Sequence, residues 1–97
     1  MSEETSITNV RSLVQKMVVS IKLLGMHRVV TNTDSIDMPI TGETKVKDAL
    51  VYVRQQYPGL NLEEGMIFVA VNLEIASLDR ILMDNDTVLF LPIIGGG

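Results

Sequence analysis

The stretch Thr41–Leu60, TGETKVKDALVYVRQQYPGL, constrains the fold most. Val46, Ala49, Leu50, Val53 and Tyr57 recur at helical spacing and draw one apolar stripe. Thr44 is placed as the N-cap, its hydroxyl accepting from a free amide of the first turn. Pro58 lacks an N–H and disfavours helical geometry at Tyr57, and Gly59 then lets the chain turn away. The pattern predicts a helix of about 12–14 residues, or ~20 Å. Val51 and Tyr52 fall off the stripe, so a flank is also apolar or touches a partner. A helix of this length cannot bury its stripe alone and must lie across another layer.

That layer is read from the flanking segments. Met17–Leu24, MVVSIKLL, is β-branched, and Ile21 and Leu23 oppose Ser20 and Lys22, which predicts a strand. Gly25 permits a turn. The chain then runs through a polar bend into a second strand near Ser35–Ile40, where Ile36 and Met38 alternate with Asp37. Two strands so close in sequence predict an antiparallel hairpin. Met66–Asn72, MIFVAVN, is short and nearly all apolar, as a strand buried on both faces would be. LEIAS reads as a short edge strand and LDRILMDND as a loop with at most one helical turn. A bend at 85–87 precedes a last strand, Thr87–Leu91, ended by Pro92. The order β-β-α-β-(β)-β predicts an α+β domain of two layers. A mixed sheet of four to five strands packs on one main helix, and the β-grasp is the compact solution of this kind.

A chain of 97 residues supports one domain and one core. The domain is placed at 16–92, after an extension at 1–15 and before a tail at 93–97. In the extension, Ile7, Val10, Leu13 and Val14 make a weak helical stripe, read as a short helix or a loose arm. No apolar run approaches the ~18 residues that span a bilayer, so no membrane association is expected. The opening MSEETSITNV has no basic region and does not read as a secretory signal. Cysteine is absent, which excludes a disulfide scaffold, a thiol nucleophile and a thiolate metal site, and fits a cytoplasmic protein. A net charge of −4 makes the chain a poor phosphate binder, so no direct nucleic-acid partner is expected.

The interior offers no catalytic set. His27 is the only histidine and reads as a surface residue beside a turn. Asp79, Asp84 and Asp86 read as solvated bend formers, because a calcium loop needs a longer acidic ladder and a closing Glu. No glycine pattern cradles a phosphate. Met66 and Met83 read as core filler.

What remains is the ending, VLFLPIIGGG. With glycine at ~7% of average composition, three in succession at a chosen place arise about 3 times in 10,000. A frayed terminus or a linker-like addition would explain them without function. The functional reading is physical. Five residues follow Pro92 and span at most ~17 Å. Gly95 and Gly96 have no Cβ, so they can thread a narrow channel and take whatever φ it imposes. The carboxylate of Gly97 resists attack as an anion and needs activation, most simply by ATP to an acyl-adenylate. A glycyl carbonyl is then the least hindered acyl group that a protein can offer. A partner gripping this tail must also hold the domain beside it, so Phe90, Leu91 and Ile93 are expected to form a docking surface. Phe90 has core as its competing role.

At this point the sequence resembles the MoaD/ThiS type of ubiquitin-like sulfur carrier, closest to the small subunit of molybdopterin synthase. The matching words are VSIKLLG, TKVKDALVYV, YPGL, VAVN and LMDNDTVLFLPIIGGG, covering about residues 17–97. The family's terminal Gly-Gly falls on Gly96 and Gly97. Gly95 stands where Ser or Ala is commoner, and Ile93 where a second proline is common. The resemblance implies a β-grasp fold and a Gly97 that bears first an adenylate and then a thiocarboxylate. It implies a ubiquitin-activating-type adenylyltransferase that uses ATP and magnesium, the carrier binding no cofactor itself. It also implies a sulfur donor, either a desulfurase or a rhodanese-like protein, and a large molybdopterin synthase subunit whose active site receives the tail. The chemistry would belong to these partners, with the carrier as a non-catalytic sulfur-donating subunit. The alternatives are a carrier serving tRNA thiolation, thiamin or cysteine synthesis, a ubiquitin-like modifier joined to lysines, and a plain interaction module with an idle tail.

Overall fold

The computed structural model describes residues 17–60 and 62–93. The sequence readings for residues 1–15 and for Gly95–Gly97 lie outside these residues. The elements run β1 (Val18–Lys22), α1 (Gly25–Thr31), β2 (Ser35–Pro39), α2 (Val46–Gln56), a 3-10 turn (Glu64–Met66), β3 (Ile67–Val71), β4 (Glu74–Ala76) and β5 (Thr87–Pro92). The five strands form one mixed sheet in the order β2-β1-β5-β3-β4. Only β1 and β5 are parallel, with Ser20 opposite Thr87 and Lys22 opposite Leu89. The β1–β2 pair is antiparallel, as the hairpin reading expects, and β5–β3 and β3–β4 are antiparallel too. This is the β-grasp expected from the sequence.

The stripe of α2 packs as its spacing dictates. Val46, Ala49, Leu50 and Val53 are buried, and Tyr57 is half-buried where the helix stops. They meet the sheet face made by Val19 and Ile21 of β1, Ile36 and Met38 of β2, Val69 and Val71 of β3, and Val88 and Phe90 of β5. Burial of such side chains stabilises by about 1.5–3 kcal/mol each, which is why this seam holds the layers together. The helix has 11 residues, a little shorter than predicted.

Its start differs from the Thr44 expectation. The N-cap is Lys45, and the Asp48 carboxylate accepts from the Lys45 N–H at 2.8 Å. The free amides of Val46 and Lys47 donate to the carbonyls of Arg80 (2.9 Å) and Leu78 (3.0 Å). A loop some 35 residues away thus does the work of a cap. The Thr44 hydroxyl serves the preceding turn instead, accepting from the Thr41 N–H at 2.9 Å. At the other end, Arg54 donates from Nε to the Leu62 carbonyl at 3.0 Å and also from Nη2, fixing the exit loop.

Two further readings change. The segment after Gly25 is a helix, not a polar bend, and Gly25 enters it at φ +55°, a value that favours glycine. β3 is not buried on both faces: Phe68 is 52% exposed, although Ala70 beside it is buried. The bend aspartates do structural work. Asp86 is buried and accepts from Asn72 Nδ2 and from the Met83 N–H, both at 2.8 Å. Asp84 accepts from the Val18 N–H at 2.9 Å. Asn72 and Leu73 both take positive φ, as a two-residue hairpin turn between β3 and β4 requires. Met66 and Met83, read as core filler, are both exposed.

The two phenylalanines test the layering. Phe90→Ala empties a fully buried site and is expected to cost about 3–5 kcal/mol. Phe68→Ala on the open face should cost about 1 kcal/mol or less. Urea unfolding monitored by far-UV circular dichroism gives both values, and equal losses would contradict the assignment of faces.

Candidate functional site: the tail root and the open sheet face

β5 carries the chain toward its glycine ending from the middle of the sheet. Its pairing with β3 runs from Val71–Val88 to Ile67–Pro92. One bond continues beyond it, with the Ile93 N–H donating to the Met66 carbonyl at 2.9 Å. Ile93, assigned to the tail by its sequence, is therefore anchored. Four residues remain after it, with a reach of about 14 Å.

Side chains alternate along β5, so its residues serve two surfaces. Phe90 faces the helix and is 0% exposed. It is a core residue and offers nothing to a partner, contrary to the docking expectation. Leu91 and Ile93 are half-exposed. Leu91 lies opposite Phe68, and Leu89 lies opposite Ala70, which in turn faces Ile75 of β4. Phe68, Ile75, Leu89 and Leu91 thus form an apolar field on the sheet face away from α2. Ser20, Lys22 and Thr87 give its β1 side a polar margin. A contiguous apolar patch rimmed by polar groups is the mark of an interaction surface. Phe68 was missed in the sequence because it sits in an unbroken apolar run with no alternation to tell its face.

His27 is not a surface residue. It is 7% exposed on the inner side of α1, and its Nδ1 has no hydrogen-bond partner. Burial lowers its pKa from the ordinary 6.5. No acid–base partner accompanies it, so it reads as a packed imidazole rather than a base. Among the described residues, no group of three or more His, Asp or Glu side chains could hold a metal ion. No helix among them is long and apolar enough to cross a membrane.

With this geometry in place, the comparisons are specific. The fold is that of the ubiquitin-like β-grasp proteins. The ThiS family matches residues 21–97, and the chain belongs to that family of ubiquitin-like sulfur carriers and modifiers. None of the curated proteins compared with the chain matches it. Among solved structures, the small archaeal modifier protein 1 (SAMP1) from Methanosarcina acetivorans is 26% identical, with a TM-score of 0.69 over 84% of this chain and 97% of that one. SAMP1 from Haloferax volcanii is 24% identical, with a TM-score of 0.71 over 82% and 99%. A complex of subunits 1 and 2 of the molybdopterin-converting factor from Helicobacter pylori contains a chain that is 24% identical. Its TM-score is 0.53, over 84% of this chain and 100% of that one. The last two likenesses speak for the fold alone.

The buried imidazole predicts a pH dependence. The unfolded chain takes up a proton near pH 6.5, whereas the folded chain resists it. Stability is therefore expected to fall as pH drops through 6.5, until the lowered folded value is passed. His27→Leu should flatten this slope between pH 7.5 and 5.5 in urea titrations. An unchanged slope in the variant would show that other groups cause it.

Proposed function

We propose that the chain is a sulfur carrier whose Gly97 is converted to a thiocarboxylate, and that it serves molybdopterin synthesis as the small subunit of a two-subunit synthase. The observation that carries this reading is the family match over residues 21–97, combined with a last strand that leads straight into Gly95, Gly96 and Gly97. The choice of acceptor rests on the sequence's resemblance to the small subunit of molybdopterin synthase, above all in LMDNDTVLFLPIIGGG.

The chemistry balances in three displacements. The Gly97 carboxylate attacks the α-phosphorus of ATP, with magnesium held by the activating enzyme, and pyrophosphate leaves. A sulfur nucleophile, delivered as a persulfide by a desulfurase or rhodanese-like donor, attacks the acyl carbon and AMP leaves. Reductive cleavage of the remaining S–S bond by a donor-side thiol frees the thiocarboxylate. The carrier contributes no side chain to these steps and binds no cofactor. Its glycines let the carbonyl enter a closed site, because a bare Cα presents least bulk to the attacking atom. The open face, with Phe68, Leu89 and Leu91, docks the large subunit while the tail is inserted. This reading places the chain in the cytoplasm, where ATP and the pterin precursor meet. The likeness to SAMP1 favours a second reading, a modifier whose activated Gly97 is joined to lysine amines instead.

The test is intact mass after incubation with ATP, an adenylyltransferase and a sulfur source, beside a Gly97-deleted chain. The expected gain is that of one oxygen exchanged for one sulfur, absent in the control. No gain with a verified enzyme sinks the carrier reading, and amide-linked products on added protein would establish the modifier. For docking, a Phe68→Asp/Leu91→Asp variant that remains folded should bind the large subunit at least tenfold more weakly. Unchanged affinity by calorimetry would remove the open face from the interface.

A further inference from the structure

The surface of α1 is unlike that of a solvated helix. Met26 is 69% exposed, Val29 67% and Val30 50%, and Leu24 at the N-cap is exposed as well. At 100° per residue, positions 26, 29 and 30 fall within one stripe about 100° wide. His27 and Thr31 fill the inner side, and the Thr31 hydroxyl donates to the His27 carbonyl at 2.8 Å. The outward stripe is thus held in place by a buried inner side. Arg28 is the only formally charged side chain on the helix. Single exposed apolar residues need no explanation, but three in one stripe of a short helix form a patch. Methionine among them suits a surface that adapts to a partner.

The topology says what meets this patch. β1 and β5 are parallel neighbours, with Lys22 opposite Leu89. Gly25 lies three residues beyond Lys22, and Pro92 lies three residues beyond Leu89. The helix and the tail therefore leave adjacent strands at the same end of the sheet. Gly97 reaches no more than about 14 Å past Ile93, so any enzyme that closes on its carboxylate must lie against that end.

We propose that the stripe Met26, Val29 and Val30 docks the adenylating enzyme that activates Gly97. This rests on the reading of Gly97 given above, but on the activation step alone. Carrier and modifier share that step, so the contact does not depend on the acceptor. The complementary surface is an apolar, uncharged patch beside the enzyme's tail channel.

The experiment follows pyrophosphate release by the cognate adenylating enzyme with the full chain as substrate. Met26→Glu/Val29→Glu is compared with the wild type and with Met26→Leu/Val29→Ile. The expected result is a KM for the carrier raised at least tenfold in the Glu variant, with kcat within twofold and the conservative pair near wild type. An unchanged KM overturns the docking role while leaving Gly97 activation intact. No pyrophosphate release from the wild type, with an enzyme shown to be active, overturns both. Hydrogen exchange on the wild-type chain is independent of variant folding, and amides of Met26–Thr31 should gain protection when the enzyme is added. No gain counts against the proposal. Concentration-dependent dimerisation abolished by the Glu variant would assign the stripe to a second copy. Faster exchange at α1 after deletion of residues 1–15 would assign it to that segment, and either result overturns the enzyme as occupant.

Discussion

β5, the last strand, occupies the centre of the sheet, and both of its edges are committed. One edge is parallel to β1 and the other antiparallel to β3. Take it away and the β1–β2 hairpin loses its link to β3–β4, while Val88 and Phe90 leave the core beneath α2. The strand also sets the geometry of the functional end. Because it is paired on both sides, it delivers Ile93 to a fixed place, held by the Met66 carbonyl. A reactive terminus needs freedom in its last few residues and none just before them. The alternation along β5 supplies both a core face and an open apolar face from adjacent residues.

The hydrogen bonds that close the sheet's far end follow the same economy. Asn72 and Asp86 join the β3–β4 turn to the bend before β5, and Asp84 with Asn85 ties that bend to the start of β1. Asp86 is buried, and its carboxylate uses one oxygen for Asn72 and the other for the Met83 N–H, so its burial leaves neither oxygen unpaired. The loop at 78–82 stitches the start of α2 to the same region. Polar order thus gathers at the bend before β5 and at the start of α2.

What was legible in the sequence depended on the range of the forces involved. The stripe of α2 is a local periodicity, and its burial could be read residue by residue. Its N-terminus could not, because its partners are the carbonyls of Leu78 and Arg80, and Thr44 carries the cap signature without the role. GMHRVVT gave no helical signal because it is only about two turns long, opens with glycine and holds two β-branched valines. Only tertiary packing of His27 and Thr31 makes it helical. Phe68 and Phe90 were indistinguishable because an unbroken apolar run has no period of two. Their faces are fixed by the β3–β5 register, in which Phe68 lies opposite Leu91 and Phe90 opposite Val69, not by composition. The tail was legible for the opposite reason: its chemistry lies in what glycine lacks, and that needs no fold to be read.

The parallel contact between β1 and β5 also bears on how the molecule is made. It pairs Ser20 with Thr87, so the middle of the sheet closes only when nearly the whole chain is available. Such a long loop must be closed before its contacts repay the entropy, which slows folding compared with a hairpin meander. Only a few residues separate the strand that completes the core from Gly97. A chain that lacks β5 therefore loses both central pairings of the sheet. A folded domain is thus one whose synthesis has already passed Pro92.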